Sequence, residues 1–185
     1  MASTLKVDTI AHTGGTAALT VDSGGSVNFP NLPCFHVTKS TDQTLTDATT
    51  ALVTFESVTD GSNGGRTINK GGLFASNKFT VTSATTGIYY IYCNIFFQGS
   101  TDVGDFHMYY KKNGSDTQQT VYANAGQGNN LRFGTYQNNQ IINLDSAGDY
   151  VELYAYADML SAGTMNLNQN TTDIQRTNWG GYKIA

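Results

Sequence analysis

Charge is scarce in this chain of 185 residues: 13% are Asp, Glu, Lys or Arg, about half the usual share for a soluble domain. The balance is mildly acidic, with net charge −4 and a pI near 5.1, so the basic excess of a nucleic-acid binder is missing. No apolar run approaches the roughly 20 residues of a membrane helix. Neither nucleic acid nor membrane insertion is therefore expected. Proline occurs twice and cysteine twice. Cys34 and Cys93 fit no zinc or redox spacing, and the sequence leaves open whether they pair. Cys93 lies inside the apolar run from Ile88 to Phe97 and reads as a buried reduced thiol. The opening from Met1 to Ile10 lacks the continuous apolar core of a signal peptide, so assembly in a reducing cytoplasm is the expectation. What is present is β-forming: 39% hydrophobic and 11% aromatic residues, 20 glycines, and about one residue in four Thr or Asn.

Two regions differ in texture. Residues 1–33 form an arm in which Leu5, Val7, Ile10, Leu19 and Val21 are the apolar points of short strands separated by Gly14-Gly15 and Ser23-Gly24-Gly25. Such segments are too thinly apolar to make a core and need copies of themselves or another protein to lie on. Pro30-Asn31-Leu32-Pro33 closes the arm as a rigid hinge. Residues 34–185 read as successive strands at 35–39, 50–57, 72–75, 78–82, 87–97, 105–112, 118–123, 131–135, 139–144, 149–157 and 176–184, with no helical periodicity. The fold class is all-β, an antiparallel sandwich.

Several strands are apolar on both faces. In Ile88–Phe97, Tyr89, Ile91, Cys93, Ile95 and Phe97 alternate with Ile88, Tyr90, Tyr92, Asn94 and Phe96. Val151, Leu153 and Ala155 alternate with Tyr150, Tyr154 and Tyr156, and Phe106, Met108 and Tyr110 with His107 and Tyr109. A monomeric sandwich carries polar outer faces, whereas tyrosine suits a face shared with another subunit. Tyr90, Tyr92, Phe96, Tyr109, Tyr154 and Tyr156 are accordingly the candidate interface residues.

Catalytic and metal patterns are sparse. His12, His36 and His107 are dispersed, and no His pair has ligand spacing. No nucleophile elbow or phosphate loop occurs. Asp102, Asp105, Asp116, Asp145, Asp149 and Asp158 sit near strand ends without a calcium-loop pattern, and Asp149 follows Gly148 where it can hydrogen-bond its own turn. No enzyme activity, cofactor or metal is expected. The amide-rich segments around Asn129, Asn130, Asn168 and Asn170, with Tyr136 nearby, are candidates for a rim that hydrogen-bonds and stacks on sugars.

Over 35–185 the landmarks resemble the trimeric jelly roll of the complement globular head and tumour necrosis factor superfamily. Leu52-Val53-Thr54-Phe55 is similar to its early strand. Phe74-Ala75-Ser76-Asn77-Lys78-Phe79-Thr80-Val81, then Gly87-Ile88-Tyr89-Tyr90-Ile91, resembles the aromatic-x-x-Gly-x-Phe-Thr-x-Pro…Gly-Val-Tyr signature. Tyr110-Lys111-Lys112-Asn113-Gly114, Asn143 to Val151, and Trp179-Gly180-Gly181-Tyr182-Lys183-Ile184 are similar to the later strands, in order. Asn77 stands for the usual Gly and Thr82 for Pro, with two extra residues before Gly87. The resemblance implies a jelly-roll head and a homotrimer. Ser3-Thr4-Leu5-Lys6-Val7-Asp8-Thr9-Ile10 resembles the opening of tail-fibre-like structural proteins of marine and cyanobacterial bacteriophages. That implies a virion protein, with the arm attached to another virion protein of the tail or capsid and the head binding a host surface glycan. A capsid decoration protein stabilising the shell is the alternative.

Overall fold

A computed structural model describes residues 7–29, 31–56, 58–124, 131–167 and 176–185, with backbone alone for 63, 64 and 118–124. The arm forms its own three-stranded sheet of β1 (Thr9–Ala11), β2 (Ala17–Val21) and β3 (Val27–Asn28). Its turns are tight: Gly15 and Gly25 take positive φ, and the Asp22 carboxylate accepts from the backbone N–H of Gly24 and Ser26, both at 2.9 Å.

The head is a sandwich of two antiparallel layers. One contains β4 (Cys34–Thr38), β5 (Gln43–Thr46), β7 (Ile68–Asn69), β10 (Gly87–Gly99), β13 (Phe133–Leu144), β15 (Thr164–Leu167) and β16 (Asn178–Lys183). Here β10 is central. It pairs along its length with β13 on one edge, and with β16 and β15, end to end, on the other. The opposite layer contains β6 (Thr49–Leu52), β8 (Phe74–Ala75), β9 (Lys78–Thr80), β11 (Val103–Lys112), β12 (Ser115–Asn124) and β14 (Tyr150–Met159).

Alternation fills the space between the layers. Tyr89, Ile91, Cys93, Ile95 and Phe97 point inward and meet Phe106, Met108, Tyr110, Val151, Leu153 and Ala155 from the other layer, all buried, as the sequence alternation leads one to expect. Trp179 sits at the centre, its ring 5.2 Å from both Phe35 and Phe74 in edge-on contacts. Tyr110 donates its hydroxyl hydrogen to the Asn138 carbonyl at 3.0 Å, so the ring is buried with its polar tip satisfied. Both cysteines are free thiols, and burial pushes Cys93 up to about 12.

Two differences from the expected strand boundaries matter, and one loop residue shows how its turn is held. The expected strands 131–135 and 139–144 are one strand, β13, because its backbone pairs without a break along β10, from Phe133 opposite Gln98 to Leu144 opposite Gly87. The short strands β5 and β15 pair with each other in Thr- and Asn-rich stretches that read as loops. Asn77 takes φ 61°, the left-handed region Asn tolerates best after Gly. Its side-chain oxygen accepts from Phe55 N–H at 2.8 Å, tying the loop to the early strand.

Candidate functional site

The outward face of the first layer is built in rows by strand register. Cys34, Tyr182, Tyr90 and Ile141 stand side by side across β4, β16, β10 and β13. The next row is His36, Gly180, Tyr92 and Asn139, and beyond it Asn178, Asn94 and Gln137. Phe96 and Thr135 follow, then Gln98 and Phe133. These row residues include no Asp, Glu, Lys or Arg.

Packing within the face is specific. The Tyr90 ring lies 5.5 Å from Tyr182 and 6.2 Å from Tyr92. His36 Nδ1 and the Tyr92 hydroxyl are 3.0 Å apart. Gly180 makes room for that hydroxyl, since a Cβ there would sit 2.4 Å from it. Burial, then the neighbouring Cys34, Tyr182 and Tyr90, push the Tyr92 phenol up, so it stays protonated as a hydrogen-bonding group. At the far end the Arg176 guanidinium sits 5.2 Å over the Phe96 ring. Between the rows is a depression of about 390 Å³ lined by Tyr90, Tyr92, Asn94, Gln137, Asn139 and Asn178. Asn94 Nδ2 donates to the Arg176 carbonyl at 3.3 Å, while Asn94 Oδ1 is buried and has no donor among the described residues. Ile141 is 67% exposed and Phe133 68%.

The outward face of the second layer is different in kind. Tyr109 stacks on Tyr154 at 6.0 Å, and the His107 and Tyr156 rings are 5.1 Å apart. These rings are interleaved with charge. Lys111 Nζ lies 4.6 Å over the Tyr154 ring and 3.3 Å from Asp116. Lys78 Nζ lies 4.5 Å over Tyr150 and 3.7 Å from Glu152. The six candidate interface residues therefore do not make one surface. Tyr90, Tyr92 and Phe96 are on the uncharged face, and Tyr109, Tyr154 and Tyr156 on the charged face of the opposite layer.

In the arm, Ile10 pairs with Leu19 and Val21 with Val27, which puts them on one side of the small sheet, with Ile10 and Val27 exposed. Val7 is exposed just before β1, and Leu5 lies outside the described residues. The hinge ties arm to head. Asn31 Nδ2 donates to the Ala17 carbonyl at 2.9 Å, and Lys183 N–H donates to the Pro33 carbonyl at 3.0 Å. A groove of about 310 Å³ between them is lined by Phe29, Leu32, Pro33, Ala84 and Ile184.

Of the proposed sugar-binding rim, Asn129, Asn130, Asn168 and Asn170 lie outside the described residues. Tyr136 lies on β13 with its ring stacked on Phe97 at 5.4 Å and 5.6 Å from Phe106, packed against the core. Asp149 does close its own turn, accepting from Ser146 N–H at 3.2 Å. It also holds Asn113 Nδ2 at 2.8 Å and Lys112 Nζ at 3.1 Å. Those partners, Asn113 first and then Lys112, hold its carboxyl down at about 2. Among the described residues no three His, Cys, Asp or Glu side chains converge as metal ligands. Gln137, Asn139 and Ile141 are members of this face of the first layer that the sequence did not single out. The signal lay in the period-2 alternation of 133–144, visible once that stretch is taken as one strand.

This architecture is an antiparallel jelly roll of the tumour necrosis factor and complement globular-head type. The fold is similar to a solved Eiger tumour necrosis factor of S. frugiperda, with 13% identity, TM-score 0.54, and 84% of this chain and 94% of that chain covered. It is also similar to the globular domain of a zebrafish complement 1qA protein, at 13% identity, TM-score 0.52, and coverage of 83% and 98%. No protein-family model matches the chain, and no curated protein sequence matches it.

Proposed function

We propose that the chain is a homotrimeric structural protein of a phage particle, a short fibre or tail-fibre knob held by its N-terminal arm, that recognises a host surface glycan. It works by binding rather than catalysis. The observation that carries the assembly is the outward face of the β4–β16–β10–β13 layer, whose row residues carry no charge. A sheet face meant for water carries charge and polar side chains. This one sets Ile88, Ile141, Phe133 and Tyr182 in the open among tyrosines and amides. A neighbouring copy laid on it removes apolar area from water. The opposite layer, with its lysines and carboxylates between the rings, faces outward. The resemblance of the head supports three copies rather than two.

The arm supports the attachment half of the reading. A three-stranded sheet this small, with Ile10, Val27 and Phe29 exposed, gains stability by lying on another protein. The resemblance of residues 3–10 points to a virion protein as that partner. A second reading, a trimeric decoration protein on the capsid shell, is favoured by the hydrogen bonds from Asn31 and Lys183 that hold the arm against the head, a compact arrangement suited to clamping a surface.

Imaging the assembled particle tests both. Density for the trimer at the tail supports the fibre, and density at quasi-threefold positions of the capsid supports decoration. Absence of the chain from purified particles contradicts both. Leu19→Asp in the arm should abolish incorporation while leaving the head folded; undiminished incorporation removes the arm from the attachment.

A further inference from the structure

We infer that the outward face of the β6–β14–β11 layer carries a saccharide-binding cleft selective for an amino sugar. The inference rests on the glycan-recognition reading above and moves recognition from the loops to the sheet. The cleft has a volume of about 340 Å³ and is lined by Thr50, Asp105, His107, Tyr109, Asp116 and Tyr156, at the small end of the roughly 300–1,000 Å³ typical of ligand sites.

Its floor is set by register. Thr50 is opposite Tyr156, and Tyr156 opposite His107, so hydroxyl, phenol and imidazole lie in one row. Tyr109 stands two residues along β11 on the same face, stacked on Tyr154, with its hydroxyl donating to Thr50 Oγ1 at 3.3 Å. Asp105 stands two residues the other way. Strands rather than loops hold these groups, so the rings are fixed before any ligand arrives, and little entropy is lost on binding. The rings offer flat apolar area for the C–H face of a pyranose, and the hydroxyls and carboxylates around them offer hydrogen-bonding partners for its polar groups.

The sign of the charge sets the class of sugar. Asp105 lines the cleft and is paired across the strands with Asp158; after burial, these two carboxylates and Asp47 push the Tyr156 phenol above its ordinary range. Asp116 adds a fourth carboxylate at the wall. The base beside the cleft, Lys111, is engaged at 3.3 Å with Asp116 and lies over the Tyr154 ring. A protonated amine over the tyrosines gains from the ring faces and from the carboxylates. A uronic acid, a sialic acid or a phosphorylated sugar meets repulsion.

The full-length protein is tested on an array carrying amino, neutral and acidic glycans, and by calorimetric titration with a β-1,4-linked glucosamine tetramer and with tetragalacturonate. The expected result is saturable binding of the glucosamine tetramer and none of tetragalacturonate. Asp105→Asn should weaken binding about tenfold or more, the loss expected for a hydrogen bond to a charged group. Tyr156→Ala should abolish it. Asp145→Asn, the same charge change away from the cleft, should leave it within about twofold. Near-UV circular dichroism checks that Tyr156→Ala stays folded; Asp105→Asn, which alters no volume, carries the test if it does not. Wild-type affinity in the folded variants, or a preference for acidic glycans, overturns the cleft while leaving glycan recognition intact at another place. Binding to no glycan of the array overturns both.

Discussion

A single lysine placed on the uncharged face is the sharpest perturbation of the proposed assembly. Ile141 is 67% exposed in the isolated chain, so Ile141→Lys should change protomer stability by no more than about 0.5 kcal/mol. In a trimer that covers this face the same change removes a buried aliphatic side chain, about 1.5–3 kcal/mol, and buries an ammonium. The face holds no acid among its row residues to pair with it, and an unpaired buried charge costs several kcal/mol even after relaxation. Taking about 4 kcal/mol per copy, three copies lose about 12 kcal/mol, or about nine decades in the trimerisation constant at 1.4 kcal/mol per decade. Half-dissociation scales with the square root of that constant, so its concentration rises by about four decades. Sedimentation velocity across a dilution series reads this directly. Thr50→Lys, an exposed position on the opposite layer, is the matched comparison and should leave assembly unchanged. An Ile141→Lys protein that sediments as wild type, or a Thr50→Lys protein that dissociates equally, would show that the wrong face has been chosen.

Other consequences concern the head itself, at fixed protomer concentration. Lys39 is buried with Nζ 2.8 Å from the Thr54 carbonyl, 3.0 Å from Thr54 Oγ1 and 3.4 Å from Glu56. Lys39→Met keeps the stem but orphans that carbonyl, for an expected loss of about 1–3 kcal/mol in urea unfolding; unchanged stability would contradict it. Because Asp149 is held at about 2 in the folded head, its contribution is fully present above the ordinary Asp range and is lost as pH falls from about 4 towards 2. Asp149→Asn should flatten the fall of Tm over that window, and a parallel curve would refute the assignment. Asn77→Gly keeps the left-handed backbone but strands the Phe55 N–H, at about 1–3 kcal/mol. Asn77→Val adds about 1–2 kcal/mol of backbone strain, so thermal unfolding should rank Val below Gly below wild type.

The sandwich was legible because its signal is local. Period-2 alternation in 87–97, 105–112 and 149–157 put the right residues inside, and glycines at 114 and 148 marked turns that take positive φ. The short strands β5 and β15 were not legible, since Thr- and Asn-rich stretches look like loops until each supplies the other's hydrogen-bonding partner. Two-sidedness identified tyrosines on outer faces but could not tell one outer face from the other. Alternation says that Tyr92 and Tyr154 both point away from the core; only strand order says that they point in opposite directions, and only cross-strand neighbours say that one is surrounded by amides and the other by lysine and glutamate. The scarcity of charge is likewise uneven. The row residues of the β4–β16–β10–β13 face carry none, whereas lysines and carboxylates stand between the rings of the opposite face, and this makes the first face the place to look for a second copy.

Sedimentation equilibrium of the full-length chain at micromolar concentration is the most direct measurement. The expected mass is that of three protomers of 19.9 kDa, persisting on dilution and lost with Ile141→Lys. A stable monomer at that concentration would contradict the trimer, leaving the uncharged face without an occupant.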